Sequence, residues 1–305
     1  MIILGKKHIF NDDELAYMQT MNGSLSWLSA SQSDIETLKA SINEVIQEYG
    51  PQTIILNTRK NISNAFLTYL THLELQGNLF ITTEHFMEKH LSKCYIPHDN
   101  SDVSYLENIT KYSTFQYIQK RFIDYISAIG LLLIAWPLML YSAYRIKKES
   151  PGPIFFKQTR IGVKGEAFEC IKFRSMHVNS HHDPYTREND SRIYPYGNFI
   201  RKARIDELPQ LFNVLKGEMH FIGPRAEWDI LVKEYEKEIP FYQERHLVCP
   251  GITGNAQVNY PYGRNIEDTR QKLMYDFHYI KHWNFFLDII IIFKTIQIVL
   301  RRRGL

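Results

Sequence analysis

Short apolar runs alternate with an amphipathic helical pattern over the first hundred residues. Residues 1–4, Thr53–Leu56 and Leu79–Thr82 are apolar runs bounded by turn residues, a pattern that predicts strands. Before the second run, Ser33 and Glu36 form a capping box that opens a helix with apolar residues at helical spacing. The order predicts a small parallel α/β domain, Rossmann-like, with right-handed crossovers. Because no GxGxxG or GxxxxGK[ST] loop follows these strands, we expect no nucleotide chemistry from this domain.

A run of 20 uncharged residues at positions 125–144 is long enough to cross a bilayer as a helix. Basic residues flank it on both sides, whereas the positive-inside tendency places them on one side of a membrane. The flanking residues are Lys120, Arg121, Arg145, Lys147 and Lys148. Pro137, near the middle, removes a backbone hydrogen bond and kinks a helix. Together these features predict a re-entrant helix that bends at Pro137 and returns to the cytoplasmic face; a buried core helix and a simple span remain alternatives.

A second apolar stretch, Phe285–Leu300, is interrupted by Asp288 and Lys294 and followed by three arginines at positions 301–303. These charges disfavour a second span. The pattern predicts an interfacial helix with its basic end at anionic lipid head groups, and a core helix is the alternative.

Charge divides the chain near residue 115. Residues 1–115 carry 8 Lys and Arg against 13 Asp and Glu, and residues 116–305 carry 28 against 20. With a length of 305 residues, this predicts an accessory α/β domain with a linker at 1–115 and a second domain at 116–305. The basic half suits nucleic acid, anionic lipid or phosphate substrates, and only the placement of its charges can decide among them.

Composition narrows the protein class. Hydrophobic residues make up 44% and charged residues 23%, which argues against a disordered, collagenous or polytopic membrane chain. Cys94, Cys170 and Cys249 lie far apart, so neither a disulfide framework nor a cysteine-rich metal site is expected, and a reducing compartment fits best. The amino terminus turns acidic before an apolar run of signal-peptide length is complete, so no secretion signal is expected.

The densest group of polar residues lies between Arg201 and Arg225. Asp206 is a good N-cap residue, Pro209 is tolerated in a first helical turn, and Gly217 is a helix stop. Asp206 at a helix amino terminus would stay ionised, attract phosphate to the same place and could serve as a nucleophile. The adjacent Glu207 would point elsewhere and could bind a divalent cation. The alternative is that Asp206 only caps the helix and Glu207 is solvated.

Other polar groups give weaker signals. Residues 155–176 carry several basic side chains around a hairpin turn at Lys164–Gly165, and the Gly-Pro-Arg turn ending at Arg225 adds another phosphate-type donor. Those basic side chains are Lys157, Arg160, Lys164, Lys172 and Arg174. Residues 250–254 offer a loop of backbone donors. Aromatic residues do not interleave these charges, so nucleic acid is not the expected partner. His177, His181 and His182 lack a matching ligand at metal spacing and are interpreted as a polar loop.

Taken together, these residues resemble the bacterial sugar transferases, the monotopic phosphoglycosyl transferases that start glycan assembly on polyprenyl phosphate. Five segments match in the family's order and cover essentially all of residues 118–300. They are KRFIDYISAIGLLLIAWPLML, SPGPIFFKQTRIGVKGEAFECIKFRSM, RKARIDELPQLFNVLKGEMHFIGPR, CPGITGNAQVNY and DFHYIKHWNFFLDIIIIFKT. The stretch PYGRNIEDTRQKLMYD looks like exopolysaccharide-initiating members, and residues 1–115 look like a shortened form of the α/β domain often found ahead of the catalytic region.

The resemblance implies a mostly helical α+β catalytic domain on the cytoplasmic face of the bacterial inner membrane. Asp206 would be the nucleophile, Glu207 a magnesium ligand and Arg225 a phosphate-binding residue. By the same motif matching, Lys172, Arg201 and Asp288 would be active-site supports. The implied partners are a nucleotide-sugar donor, a polyprenyl phosphate acceptor and membrane lipids, with Mg²⁺ as cofactor; a homo-oligomer is left open.

The implied reaction has two steps. Asp206 attacks the sugar-proximal phosphate of a nucleotide diphosphate sugar, with a UDP-sugar as the expected donor, and polyprenyl phosphate then takes the phosphosugar from the enzyme. Direct attack by the lipid phosphate, with Asp206 as general base, is the main alternative. A catalytically silent membrane scaffold whose basic patches hold anionic lipid is the other.

Three positions depart from the family pattern. Trp136 replaces a serine before the proline of the helix bend, His220 replaces a small residue before the Gly-Pro-Arg turn, and Ala226 replaces a proline after it. These departures bear on the helix bend and the shape of the sugar pocket, and none changes the Asp206–Glu207 pair.

Overall fold

A computed structural model describes the chain over seven stretches. They are residues 1–29, 35–59, 62–98, 103–178, 190–260, 263 and 265–300. The chain forms two compact units, the first built mainly from Met1–Pro97 and the second from Leu106 onwards. The described residues form both helices and sheets, including a parallel sheet and one long apolar helix. This composition agrees with the predicted α/β class.

The first unit contains a four-stranded parallel sheet. Its strands are β1 (Ile2–Leu4), β2 (Ser26–Leu28), β3 (Thr53–Leu56) and β4 (Leu79–Thr82), in the order β2-β1-β3-β4. The three predicted strands are confirmed. The second strand was not predicted, because its three residues, Ser-Trp-Leu, are too few to show a pattern.

Helices pack on this sheet around an apolar core. They are α1 (Asp12–Asn22), α2 (Ile35–Tyr49), α3 (Asn64–Leu75) and α4 (Thr83–Phe86), the last followed by a π-helical turn at Met87–Leu91. The predicted helix is confirmed as α2, whereas its capping residues Ser33 and Asp34 lie outside the described residues. Helix α1 was missed, although Asn11 and Glu14 form a capping box that marks its start.

The second unit begins with the long helix α5 (Thr114–Glu149), which continues through Pro137. Among the described residues, α5 is the one helix long and apolar enough to cross a membrane. Its buried side chains recur at helical spacing along one stripe, and they are Lys120, Ile123, Asp124, Ala128, Ala135, Ser142 and Ile146. Most of its large apolar side chains lie on the exposed surface instead.

Two apolar clusters lie along that stripe. Ala128, in the first half of α5, belongs to one cluster with Leu211 and Val214. Ile146, in the second half, belongs to another with Tyr194 and Ile200. Both halves of α5 therefore pack against the same globular unit.

The rest of the second unit combines short helices with two small sheets. An antiparallel hairpin joins β5 (Phe155–Ile161) to β6 (Ala167–Phe173), which confirms the predicted turn, and β7 (His220–Ile222) pairs in parallel with β8 (Gly251–Thr253). The helices are α6 (Pro195–Lys202), α7 (Gln210–Lys216), α8 (Asp229–Glu238), α9 (Asn255–Asn259), α10 (Ile266–His282) and α11 (Phe285–Leu300). Helix α11 has the predicted bounds; it buries Asp288 and Ile291 and leaves large apolar side chains such as Phe286 and Phe293 exposed.

Glycines allow β7 and β8 to approach closely beyond their ladder. The Gly251 nitrogen donates a hydrogen bond to the Pro224 carbonyl at 2.8 Å, and the Gly223 nitrogen donates to the Thr253 carbonyl at 2.9 Å. A Cβ atom on Gly251 would lie only 2.0 Å from the Gly223 nitrogen, so no side chain fits there. The Gly-Pro-Arg turn is thereby fixed against residues 251–254, and Arg225 follows directly.

Candidate active site

Asp206 and Glu207 lie in a single 3₁₀ turn, Ile205–Glu207, just before α7. The expected N-cap role of Asp206 is wrong, because Pro209 occupies the N-cap position of α7 and Asp206 forms no capping hydrogen bond. Ile205 is buried and Leu208 packs against the same apolar cluster. Residues three apart eclipse in a 3₁₀ helix, so burying these two residues fixes the tight turn and directs the two acids elsewhere. The predicted helix stop at Gly217 is confirmed.

Glu207 is surrounded by cations. Its Oε1 atom accepts a hydrogen bond from the Lys172 ammonium at 3.0 Å and lies 3.7 Å from nitrogens of both Arg204 and Arg225. Burial alone would raise the pKa of Glu207, but the charges of Lys172, Arg225 and Arg204 outweigh it and hold that pKa well below its usual range. Glu207 is therefore a fixed negative charge in a positive surrounding.

Asp206 differs from its neighbour because its Oδ1 atom is buried and has no hydrogen-bond partner. Burial and the adjacent charge of Glu207 raise the pKa of Asp206 to about 6, against the opposing charges of Lys172, Arg201 and Arg204. A helix terminus and nearby cations were expected to keep Asp206 ionised, which corresponds to a low pKa. The pKa is raised instead, because the desolvation of the carboxylate outweighs its stabilisation by the cations. An unpartnered carboxylate oxygen facing cations is free to bond to a phosphorus, a metal ion or a proton.

The hairpin and α7 together bring Lys172 to the acids. Asn213 on α7 joins the two elements: its Oδ1 accepts from the Ile171 nitrogen at 3.1 Å, and its Nδ2 donates to the Glu169 carbonyl at 2.7 Å. This bridge holds β6 beside the 3₁₀ turn, so that Lys172 reaches Glu207. Nothing in the residue spacing predicts the bridge, because its two partners are about 40 residues away in the sequence.

A cleft opens beside this group. Its lining combines basic side chains with small and apolar ones, namely Arg160, Cys170, Lys172, Gln210, Met219, Arg225, Ala226 and Gly251. Burial raises the pKa of the Cys170 thiol. The cleft is therefore suited to an anion rather than to thiol chemistry.

The structure brings together five of the six polar residues predicted for the site. Lys172, Arg201 and Arg225 all act electrostatically on the Asp206–Glu207 pair. The sixth, Asp288, lies in a separate buried cluster with Lys120 and Tyr279. The role of Asp288 as an active-site support remains a prediction.

Arg245 was not predicted from the sequence. Its guanidinium is buried and donates hydrogen bonds to the Arg225 carbonyl and to Asp276, each at 2.8 Å. It therefore anchors the backbone of Arg225 to α10. A lone arginine before an apolar Pro-Gly loop gives no sequence signal for this contact.

The three departures from the family pattern occupy different places. Trp136 is exposed on α5, and Ala226 lines the cleft. His220 is buried, and its Nδ1 lies 2.7 Å from the Asp124 carboxylate of α5. Burial lowers the pKa of His220 despite that hydrogen bond. Of the three, Ala226 is the one that bears on pocket shape.

The two carboxylates could hold a divalent cation. Magnesium in phosphate-transfer sites takes one or two carboxylates and completes its coordination with water and phosphate oxygens. The pair supplies oxygen donors of this kind, one of them the unpartnered Oδ1 of Asp206. No cluster of three or more metal-type ligands occurs among the described residues. His177 contacts the edge of the Tyr194 ring, and His181 and His182 lie outside the described residues.

Comparisons with known proteins find a matching family and several similar proteins. Residues 115–302 match the sequence profile of a family described as bacterial sugar transferase. The chain is 48% identical over 187 residues to the UDP-N-acetylgalactosamine-undecaprenyl-phosphate N-acetylgalactosaminephosphotransferase of Aeromonas hydrophila, covering 61% of this chain and 44% of the relative. It is 44% identical over 191 residues to a UDP-glucose:undecaprenyl-phosphate glucose-1-phosphate transferase of Xanthomonas campestris pv. campestris, covering 61% and 40%.

A further relative is matched over more of its length. The UDP-glucose:undecaprenyl-phosphate glucose-1-phosphate transferase of Caulobacter vibrioides is 38% identical over 187 residues, which cover 60% of this chain and 70% of the relative. The chain spans less than half of the length of the first two relatives. The sugars in the relatives' names differ, so the similarity does not identify one sugar.

Proposed function

Because the chain belongs to the bacterial sugar transferase family, we propose that it transfers a phosphosugar from a UDP-sugar to polyprenyl phosphate. The products are a polyprenyl-diphospho-sugar and UMP. The observation that carries this proposal is the unpartnered carboxylate oxygen of Asp206 beside Glu207, within a group of basic side chains. We propose that this is the first membrane step of exopolysaccharide or other glycan assembly.

The proposed reaction proceeds through an aspartyl intermediate. An oxygen of Asp206 forms a bond to the sugar-proximal phosphorus, while the bond from that phosphorus to the bridging oxygen breaks. The bridging oxygen keeps the bonding electrons and leaves as part of UMP. In the second step an oxygen of polyprenyl phosphate attacks the same phosphorus, and the Asp206 carboxylate is regenerated. No proton has to move in either displacement.

Basic side chains make the attack of one anion on another possible. Lys172 and Arg225 neutralise charge near Glu207 and lie where phosphate oxygens would be bound. These preorganised donors favour a transition state whose negative charge is spread over the phosphoryl oxygens. Arg245 contributes indirectly, since it holds the backbone of Arg225.

We propose Glu207 as the residue that would hold Mg²⁺. When bound, the ion would neutralise phosphate charge as a Lewis acid. Glu207 remains ionised for this role because its surrounding cations lower its pKa.

Release of UMP tests the proposed function. Purified protein in lipid nanodiscs is incubated with Mg²⁺, polyprenyl phosphate and a panel of UDP-sugars. We expect UMP release with one or a few sugars, and release with none would overturn the proposal. Isolation of a phosphosugar adduct on Asp206 in the absence of acceptor separates the covalent route from direct attack by the lipid phosphate.

We further propose that α5 enters and leaves the membrane on the cytoplasmic side of the inner membrane. Both of its ends are basic, and both of its halves pack against the same globular unit. A transmembrane orientation would carry that unit, with its buried ionic side chains, into the hydrocarbon, where charges are costly. The exposed apolar face of α5 would instead enter the bilayer, and Pro137 would favour a bend.

Single cysteines test this topology. Ser113→Cys and Lys148→Cys stand at exposed positions near the two ends of α5, and the three native cysteines are buried. In intact cells, we expect both variants to resist a membrane-impermeant thiol reagent and to react after permeabilisation. Labelling of one position from outside would establish a span.

A further inference from the structure

Arg160 reaches the active-site cleft from strand β5. The end of strand β5 is held on residues 226–228: the Ile161 nitrogen donates to the Glu227 carbonyl at 3.1 Å, and Arg160 forms an antiparallel bridge with Trp228. The Arg160 guanidinium donates to the Ala226 carbonyl at 3.0 Å, one residue beyond Arg225. Two arginines from distant parts of the sequence thus line one cleft.

The Arg160 side chain has unused hydrogen-bonding capacity. It is only 12% exposed, and a second bond runs from its Nη2 to the Gln158 side chain at 2.7 Å. Its buried Nε has no partner. A guanidinium offers five N–H donors in a fixed plane, so donors remain for a ligand. An unpartnered buried donor costs free energy unless something binds it.

The charges around Arg160 favour an anion. Burial lowers the pKa of Arg160, and the second cause is repulsion by Arg225. The nearest carboxylate, Glu227, lies 3.8 Å away, and it also acts on Arg225 and Lys272. Glu207, which also acts on Arg225, is already shared with further cations. An anion between the two arginines would relieve their repulsion.

We propose that Arg160, together with Arg225, binds the nucleotide-side phosphate of the donor and of the product UMP. This inference rests on the proposed function. Arg225 is close to both groups, since it lies 3.7 Å from Glu207 and lines the same cleft as Arg160. With the sugar-side phosphate at Asp206, we expect the adjoining phosphate of the same diphosphate to occupy the cleft that Arg225 and Arg160 line. Arg160 is then a substrate-binding residue that stabilises the leaving group.

Binding of UMP to the full chain in nanodiscs, measured by calorimetry, tests this subsite. We expect Arg160→Gln to weaken UMP binding about 10- to 100-fold, because it removes a charge-assisted contact to phosphate. The KM for the donor should rise by a similar factor. Lys157→Gln is the matched control, because Lys157 lies on the same strand in an exposed ion pair with Glu169; it should change neither value.

A second variant, Glu227→Gln, should strengthen UMP binding rather than weaken it. Glu227→Gln removes a carboxylate that competes with the phosphate, and UMP binding should tighten about two- to fivefold. Arg160 keeps its bonds to Ala226 and Gln158 in that variant. A purely structural role for Arg160 would not produce tighter binding. If Arg160→Gln does not fold, Glu227→Gln and Arg160→Lys, which keeps a positive charge, test the phosphate subsite in its place.

Several outcomes decide between the two proposals. UMP affinity within twofold of the wild type in folded Arg160→Gln would overturn the subsite, as would absence of UMP binding to the wild type at millimolar concentration. Binding of UMP that depends on Arg160, in a protein that releases UMP from no UDP-sugar, would overturn the proposed function and leave the subsite standing.

Discussion

Two of the buried carboxylates in the second unit, Asp288 and Asp206, differ in how completely their hydrogen bonds are made. Asp288 accepts hydrogen bonds from Lys120 at 2.8 Å and from the Tyr279 hydroxyl at 2.7 Å, and it has no exposed surface. Lys120 also donates to Tyr279 and to the Ile222 carbonyl, so all three of its N–H donors have partners. Asp206, in contrast, has a buried oxygen with no partner and cations on several sides.

We expect this difference to separate a structural ion pair, at Asp288, from a reactive carboxylate, at Asp206. In the Asp288 cluster, every strong donor of Lys120 is bound within the protein, and the cluster joins α5 to α10, α11 and β7. In the Asp206 cluster, the Oδ1 acceptor has no hydrogen-bond partner, which costs free energy of folding. Such a cost is typically retained at sites where a bound ligand supplies the missing partner. The same substitution at the two aspartates should therefore have opposite consequences.

Asp206→Asn should give the largest effect on activity. We expect turnover to fall at least about 1,000-fold, because an amide cannot replace the nucleophile. The free energy of unfolding should change by less than about 1 kcal/mol or increase, since no capping bond is lost and an unpartnered buried charge is removed. UMP release and thermal unfolding measure the two quantities. Turnover within tenfold of the wild type would exclude Asp206 as the nucleophile.

Asp288→Asn should instead destabilise the protein. It removes the hydrogen-bonded counter-charge of the buried Lys120 ammonium, which costs about 3–5 kcal/mol. The double variant Lys120→Met with Asp288→Leu should recover most of that loss, because it replaces the pair by apolar groups. Urea unfolding in nanodiscs gives the values. A stable Asp288→Asn protein that has lost turnover would support the catalytic role implied by the family resemblance instead.

Much of the fold could be predicted because local patterns determine it. The strands β3 and β4 and the helix α11 have the predicted bounds, since continuous apolar runs ended by turn or charged residues mark them clearly. The Asp206–Glu207 pair was selected as the candidate site because it belongs to an ordered set of motifs, and its catalytic role stays a prediction. These signals lie within short stretches of sequence.

What could not be predicted depends on tertiary contacts. Asp206 was expected to cap a helix, but burial of Ile205 and Leu208 produces a 3₁₀ turn that a good N-cap residue does not reveal. The bond of Asp288 to Lys120 and the contact of Arg245 with the Arg225 backbone are set by packing between distant segments. Spacing along the chain carries no information about either contact.

Glu207→Gln tests how the two acids divide their work. We expect the rate to fall about 10- to 100-fold and the Mg²⁺ concentration for half-maximal rate to rise, because an amide oxygen is a poorer ligand for a hard cation. Glu169→Gln, which removes an exposed carboxylate paired with Lys157, is the control and should leave the metal titration unchanged. A rate loss in Glu207→Gln without any shift in the Mg²⁺ titration would contradict the role of metal ligand.

The first unit extends the comparison with a third cluster. Glu14 is buried and accepts a hydrogen bond from the Lys93 ammonium at 2.5 Å and from the Asn11 nitrogen at 2.9 Å, with His8 at 3.3 Å. Burial would raise the pKa of Glu14, but these partners outweigh it and lower that pKa to about 2. Like the Asp288 cluster, this group is closed, so we expect it to contribute stability and no chemistry.

The lowered pKa predicts the smallest of the effects, a dependence of the first unit's stability on pH. A carboxyl with a folded pKa of about 2 and an ordinary value of 4.5 stabilises the fold above pH 4.5, and this stabilisation is lost as pH falls toward 2. Glu14→Gln should therefore lower the free energy of opening of β1 and β3 by about 2 kcal/mol at pH 6, and by almost nothing near pH 2. Amide hydrogen exchange of these strands, compared between variant and wild type at each pH, measures the difference. An equal difference at both pH values would mean that Glu14 stabilises the unit by packing rather than by its charge.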